Sequence, residues 1–367
     1  MILSVHIGSK SIPLQFISNF VYSSDIFSLH NTATLSIKDI SKDLFNHILI
    51  GTPVFINFSD ESSKKSYAIH MSVLSFAKVP APQSSAIDEV ALNLVSYWYF
   101  NSAIHTQAHS GCVSTIVQTI FDKNYRHVVT HILPTNDTVA LRYQIEESTQ
   151  NFMTRIIQYG IRDNLPIYLY SNAMGEVELK GLSDFSNETP THVCVPDLAL
   201  RNDEDSALPN VQVIRMRNFT FASDNLTTSS VTKTNFTTAH FTASKIVNTS
   251  VILSSSEIDS DQSEVYTPKS VNFTGWEYTP DDALALTLHR NFEKNIKVLY
   301  LNGDFDGILI DELNVGKRVN VLLPFKPTIG IHSGKEVNLG EGTYTVKHLD
   351  LMYNDNTYST QATLINT

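Results

Sequence analysis

The stretch Tyr143–Gly181 constrains this chain more than any other, because it dictates one helix and one hairpin in a fixed order. Phe152, Met153, Ile156, Ile157 and Gly160 recur at the three-and-four spacing of a single helical face, and Ser148 stands where a hydroxyl caps the first free amides. Arg162, Asp163 and Asn164 end the pattern. Pro166 then opens an edge strand, Ile167–Tyr170 reads as extended, Asn172–Gly175 carries turn chemistry and Glu176–Leu179 returns.

With 367 residues, 42% of them apolar and 17% charged, the chain reads as a globular sequence of roughly two to four domains. Its formal net charge of −11 argues against a protein that holds DNA or an anionic membrane by nonspecific attraction. No apolar run reaches the length of a membrane span, and MILSVHIGSKSIPL lacks a charged n-region and a long h-region, so neither export by a signal nor membrane insertion is expected. Cys112 and Cys194 are too few for a disulfide framework and read as reduced, packed thiols. The glycan-type triplets at Asn218, Asn225, Asn235, Asn248 and Asn272 read as by-products of an Asn- and Thr-rich strand region, given no secretory signal.

Residues 1–104 alternate apolar and polar positions in Ser4–Gly8, Ala33–Ile37, Val54–Phe58, Tyr67–Phe76 and Val90–Tyr99, with a short helical candidate at Lys42–Ile50. Val79–Ser85, with Pro80 and Pro82, is expected to be a loop, and the natural burial for such strands is a small antiparallel barrel or sandwich. From His105 the period changes: Val113, Ile116, Val117, Ile120 and Phe121 follow helical spacing, Val128–Leu133 reads as a strand, and the central helix and hairpin complete an α+β unit ending near Val195. Asn202–Asp205 and Pro209 read as a linker, Val211–Leu253 as strands and Ser254–Ser263 as a flexible loop. Thr279, Pro280, Asp281 and Asp282 give a helix start that Ala283, Leu284, Leu286, Leu288 and Phe292 carry on, and Ile296–Thr367 returns to strands.

An internal echo joins the two ends of the chain. Gly51, Val54, Ile56 and Phe58, then Tyr67, Ile69 and Met71, are answered by Gly316, Val319, Val321 and Leu323, then Tyr344, Val346 and His348. Ala91, Leu92 and Leu94 are answered by Ala362, Thr363 and Ile365. Two unrelated antiparallel sheets also share period-two patterns; the common Gly offset and Tyr opening favour a duplication. The expected architecture is mainly β with α+β insertions: a barrel module over 1–104, an insertion over 105–205, a second barrel from 206–250 and 296–367, and a further insertion over 251–295.

The order within Tyr143–Gly181 resembles the baseplate hub proteins of contractile-tailed phages and the related hub part of type VI secretion spike proteins. That segment of the family reads QY, a polar run, FLSRLLEEEG and two strands; Tyr143, Gln144, Phe152, Arg155, Ile156, Ile157 and Gly160 occupy matching places. The inverted Tyr-Gln pair, and Gln158 and Tyr159 in place of acidic residues, favour the phage hub over the secretion spike. A duplicated barrel with insertions is the layout of T-even-like hubs, so the resemblance covers almost the whole chain. It implies a trimer whose paired tail-tube-like modules make a ring of six similar units. Such a ring would join a hexameric tail tube to a threefold central spike beside other baseplate proteins, in the virion, after assembly in the host cytoplasm. DNA would pass through the lumen without specific binding, and negative charge is expected to concentrate on the lumen wall or to spread over the outside for solubility.

Enzymatic readings find weaker support. His105, His109 and Cys112 fall on one face of a helix that starts early enough, a zinc-like spacing without an evident fourth ligand. Asn302, Asp304, Asp306 and Gly307 imitate the opening of a calcium loop, but Leu313 stands where the bidentate Glu belongs and Glu312 is one residue short. His332, Ser333 and Gly334 lie at a hairpin tip with no partner carboxylate implied. Adjacent Glu146 and Glu147 point to opposite faces of a strand and cannot act as a glycosidase pair. No catalytic residue, metal or cofactor is therefore assigned. The alternatives are a tail-associated hydrolase of cell-wall polymer, to be recognised by a pocket with paired carboxylates, and a type VI secretion hub.

Overall fold

The computed structural model describes residues 2–39, 48–60, 65–79, 88–163, 165–196, 212–222, 234–237, 242–245, 282, 285–286, 288–289, 300–322, 328–330, 336–338, 342–354 and 357–366. The first part of the chain forms β1 (Ile2–Ile7), β2 (Lys10–Ile12), β3 (Ile17–Asp25), β4 (Thr32–Asp39), β5 (Pro53–Asp60), β6 (Lys65–Val79) and β7 (Asp88–Ser96). An α+β unit follows, with β8 (Ile104–Gly111), α1 (Val113–Asn124), β9 (Thr130–Ile132), β10 (Ala140–Ser148), α2 (Thr149–Ile157), β11 (Ile161–Arg162), β12 (Leu165–Ser171), β13 (Val177–Gly181) and α3 (Leu182–Asn187). The remainder is β14 (His192–Pro196), β15 (Gln212–Ala222), β16 (Thr234–Thr237), β17 (Thr242–Lys245), β18 (Tyr300–Asp306), β19 (Arg318–Val321), β20 (Thr328–Gly330), β21 (Glu336–Asn338), β22 (Gly342–Asn354) and β23 (Thr357–Asn366).

One 13-stranded sheet runs β19-β14-β15-β18-β23-β22-β3-β4-β7-β6-β5-β1-β2, and a further pairing of β19 with β22 closes its second half into a barrel. Five strands of one half repeat five of the other, whereas β14, parallel to both β15 and β19, has no equivalent in the antiparallel β1 and β2. In the first, the order β3-β4-β7-β6-β5 is antiparallel throughout; in the second, β15-β18-β23-β22-β19 is the same. Register agrees as well: Val54 faces Met71 and Val73 faces Leu94, as Val319 faces Tyr344 and Val346 faces Leu364. Both halves carry a bulge at Leu74 or Lys347, between Val73 and Ser75 and between Val346 and His348. A second matched bulge separates Ile17 from Asn19 and Met216 from Asn218.

The glycine echo has a physical cause. Gly51 and Gly316 both have φ 84, a left-handed value that favours glycine, and each N–H donates at 2.8 Å, to Val73 and Val346 carbonyls respectively. This turn delivers the next strand with Val54, Ile56 and Phe58, or Val319 and Val321, facing inward at 0–2% exposure. Leu323 lies outside the described residues.

Several sequence expectations are corrected. Tyr67 is not the counterpart of Tyr344: register makes Met71 its counterpart, so the echo of the long strands is displaced by four residues. The final strands are also one residue out, since Leu92 matches Ala362 and Leu94 matches Leu364. His192–Pro196, assigned by sequence to the 105–205 unit, is a strand of the large sheet, held between β15 and β19. Pro166 is not at an edge, because β12 lies between β11 and β13. Residues 104–111 form a strand and not the start of a helix.

The α+β unit packs helices α1 and α2 over the β11-β12-β13-β9 sheet around Phe121, Phe152, Ile156 and Leu179. Ser148 caps α2 as expected, its hydroxyl accepting from Asn151 N at 3.2 Å. The described helical residues Asp282, Ala285, Leu286, Leu288 and His289 belong in sequence to 251–295, yet Ala285 and Leu288 pack on Ile161 of this unit. The linker at Asn202–Asp205 and Pro209, the loop Ser254–Ser263, and Thr279–Asp281, Ala283, Leu284 and Phe292 lie outside the described residues, as does most of Lys42–Ile50.

The paired glycines separate backbone strain from packing. Gly51→Ala places an L residue at φ 84 with open space around its Cβ, for a cost of about 1–2 kcal/mol. Gly316→Ala adds a collision with the Tyr170 hydroxyl and the Phe185 ring, and is expected to cost at least ~3 kcal/mol in denaturant titration. Equal losses at the two sites would contradict close packing of the α+β unit on the second turn.

Candidate functional site at the junction of the sheet halves

The two halves meet where β22 lies antiparallel to β3, with Asn354 opposite Asn19 and His348 opposite Asp25. The His348 ring sits between two carboxylates, Nδ1 donating to Asp25 at 3.1 Å and Nε2 to Asp350 at 3.0 Å. Burial alone would lower the pKa of this imidazole; hydrogen bonds to Asp25 and Asp350 outweigh it and raise it from 6.5 to about 9. Burial likewise works to raise Asp350, but His348 and the Ser23 hydroxyl hold its carboxyl below the ordinary value. Lys347 adds a contact to Asp25 at 3.7 Å and lies 5.4 Å from the Phe27 ring centre, while its carbonyl accepts from Ile26 N at 3.0 Å.

Above this seam the tip of the β12–β13 hairpin is plugged into both halves. Asn31 Nδ2 donates to the Tyr22 hydroxyl at 2.6 Å and to the Asn172 carbonyl at 2.7 Å, and Tyr22 donates to the Ala173 carbonyl at 3.0 Å. Ser24 donates to the Ser171 carbonyl at 2.9 Å, and Ser171 donates to the Leu29 carbonyl at 2.7 Å. On the other side Ala173 N donates to Asn314 at 2.8 Å. Behind the tip, Glu178 accepts from Asn172, Tyr170 and Lys180, which keep its carboxyl below the ordinary value although burial acts the other way. Burial and the Glu178 charge push the Tyr170 phenol well up.

The unit is anchored a third time through Arg142 and Asp282. Both side chains are 1% exposed; the guanidinium donates twice to the carboxylate, at 2.8 and 2.7 Å, and lies 4.7 Å from the Tyr159 ring centre. His289 on the same helical stretch is buried, which lowers its pKa to about 4, with its ring 5.7 Å from that of Tyr168.

The residues singled out for chemistry are dispersed. His105 and His109 lie on β8 opposite Glu147 and Arg142, His109 stacks on Phe152 at 4.7 Å, and Cys112 is the N-cap of α1 with its sulfur 3.2 Å from the Thr115 hydroxyl. Asn302, Asp304 and Asp306 belong to β18; Asn302 accepts from Thr363 at 2.8 Å and Asp306 pairs with Arg217 at 3.1 Å. Among the described residues, no group of His, Cys, Asp or Glu has the geometry of a metal site. A bulge with Glu146 at φ 49 breaks the alternation assumed for Glu146 and Glu147, and Glu147 pairs with Arg155 at 2.6 Å. His332, Ser333 and Gly334 lie outside the described residues.

Two clefts bear on the hydrolase alternative. The larger, about 410 Å³, is lined by Asp306 and Glu312 with Arg215 and Arg217, and Asp306 is 77% exposed and paired with Arg217. The smaller, about 250 Å³, is lined by His70, Tyr97, His127 and Glu176, with no second carboxylate among its described residues.

No protein-family model matches this sequence, and no curated protein matches it. Similar solved structures exist. The 43 kDa tail protein of prophage MuSo2 from Shewanella oneidensis has a TM-score of 0.61 at 11% identity, over 99% of this chain and 97% of that one. The tail protein from Neisseria meningitidis MC58 gives 0.58 at 12% identity, over 99% and 95%. An E. coli component of the type VI secretion system, described as structurally similar to T4 bacteriophage tail proteins, gives 0.55 at 10% identity, over 99% and 76%. At such identities the likeness is one of fold. The chain has the fold of these tail proteins, and its mainly β architecture with modest helical parts is the class expected from the sequence.

The seam should respond to pH. The folded-state pKa of His348 is raised, so its contribution is complete below 6.5 and is lost as pH rises through about 9; that of Asp350 is lowered, so its contribution is present above 3.8 and is lost at more acidic pH. His348→Gln is expected to lower stability by roughly 2 kcal/mol near pH 6, after allowance for screening, with the gap closing above pH ~9. Paired denaturant titrations of both proteins across that range check it; a gap that grows with pH would contradict the assignment.

Proposed function

We propose that this chain is a structural baseplate hub protein of a contractile-tailed phage and not a catalyst. The observation that carries the reading is the single sheet built from two halves with the same strand order, register and bulges. A chain that presents one module twice can supply six similar units from three copies, which lets a threefold spike meet a hexameric tube without mismatch. The modules are residues 1–104 and the strands from β14 and β15 joined to residues 300–366, with the α+β unit inserted between them and residues 251–295 inserted in the second. In this reading the trimer sits in the virion baseplate between tube and central spike, beside other baseplate proteins, after assembly in the host cytoplasm. DNA passes through its lumen, where the net charge of −11 keeps the polyanion from adhering. The phage hub is preferred to the secretion hub because the Tyr143–Gln144 pair is inverted, and Gln158 and Tyr159 stand in place of the acidic pair, relative to the secretion-type segment.

Mass measurement of the purified protein in solution, alone and with spike protein, tests this reading. Three copies of the 41.0 kDa chain in one particle, retained when spike is added, is the expected result. A monomer under both conditions would overturn the ring, and peptidoglycan cleavage abolished by a single carboxylate substitution would assign the hydrolase instead.

A further inference from the structure

The smaller cleft, about 250 Å³, lies where β6 and the end of β7 meet the tip of the β12–β13 hairpin and residues 127–129. Its floor is apolar Met71 and Trp98, both buried, together with Asn31, which is 2% exposed. Its rim is open: His127 and Met174 are exposed, and Tyr97 and Glu176 are half-buried.

Three features fix the chemistry of what would fit there. Asn31 Nδ2 is spent on the Tyr22 hydroxyl at 2.6 Å and on the Asn172 carbonyl at 2.7 Å, and the second bond settles which end of the amide carries the protons. Oδ1 is therefore an acceptor, and no donor reaches it among the described residues. Glu176 sets a carboxylate on the rim. It accepts from Asn172 Nδ2 at 3.0 Å, and the basic group within reach of it is His131 at 3.7 Å, an imidazole and not a permanent cation. Tyr97 supplies an aromatic wall, its ring centre 6.0 Å from that of His70 and 5.4 Å from that of His127. Its hydroxyl donates to the His127 carbonyl at 3.1 Å, which holds the ring in place. A lone acceptor, a carboxylate and an aromatic face together select a cation that carries N–H donors. Met71 and Met174 beside them suit an alkyl stem.

We propose that this cleft binds a primary alkylammonium, with its head on Glu176 and donating to Asn31 Oδ1, and its stem against Met71, Met174 and the Tyr97 ring. A lysine side chain of another protein and a free polyamine share this chemistry. Binding here does not depend on how many copies the particle holds.

Saturation-transfer NMR on the full chain, with butylammonium as the probe, tests the site. Saturable transfer is expected, with butyltrimethylammonium, which keeps the charge and the stem but has no N–H, competing at least tenfold more weakly. Glu176→Gln is expected to lower affinity at least fivefold. Glu89→Gln removes the same charge at the other end of β7 and is expected to leave affinity unchanged, with circular dichroism showing that both variants fold. Absence of saturable transfer would overturn the site. Equal binding of the two cations, or equal losses in the two variants, would also overturn it, by reducing the effect to general attraction toward a chain of net charge −11. Two further competitors separate the sources. Nα-acetyl-lysine methylamide that matches butylammonium, with spermidine no tighter, identifies a protein side chain as the occupant; spermidine at least tenfold tighter, with that advantage lost in Glu176→Gln, identifies a free polyamine.

Discussion

Strand β22 needs two neighbours on one edge, and the architecture follows from how that need is met. Unpaired backbone amides and carbonyls are costly in an interior, so a strand of 13 residues flanked by a four-residue β19 must find a second partner beyond it. The bulge at Lys347 turns the strand at the point where β19 ends, and β3 takes over from His348 to Asn354. This exchange converts two barrel-like halves into one sheet. It also places Asp25, His348 and Asp350 within hydrogen-bond reach, so that charge complementarity fixes the register that backbone pairing alone leaves open to slippage.

The inserted α+β unit then acts as a brace across the seam. Its hairpin tip accepts hydrogen bonds from Tyr22, Ser24 and Asn31 Nδ2 on one side and donates to Asn314 on the other, so neither half can shift without stranding buried polar groups. The Arg142–Asp282 pair ties a distant part of the chain to the same unit. Buried ion pairs add little net stability over an apolar replacement, but removing one partner strands a charge, so their contribution here is to fix one arrangement.

Local structure was legible in the sequence; the joints were not. Ser148, Phe152 and Ile156 announce α2 because cap and periodicity act within a few residues, and Gly51 and Gly316 announce their turns because a left-handed backbone selects glycine. Strand β3, which makes the seam, was missed because residue type does not follow burial along it: apolar Val21 lies on the more open face and polar Ser24 on the buried one. Displacement of the Tyr67 echo has another origin: β6 and β22 are 15 and 13 residues long and extend differently from a shared bulge. Asn31 and Asn172 are 141 residues apart, and His348 and Asp25 are 323 apart, so no local pattern could have joined them.

One chain carries the same module twice in one continuous sheet, and the hub proposed above requires that repeat. Electron microscopy of the assembled protein viewed down its axis tests this most directly. A closed ring of six similar lobes, reduced to threefold symmetry at higher resolution by the inserted units, is the expected image, with β-sheet density unbroken across the joint of β22 and β3. A compact particle without a central opening, or three lobes none of which divides into two similar halves, would contradict it.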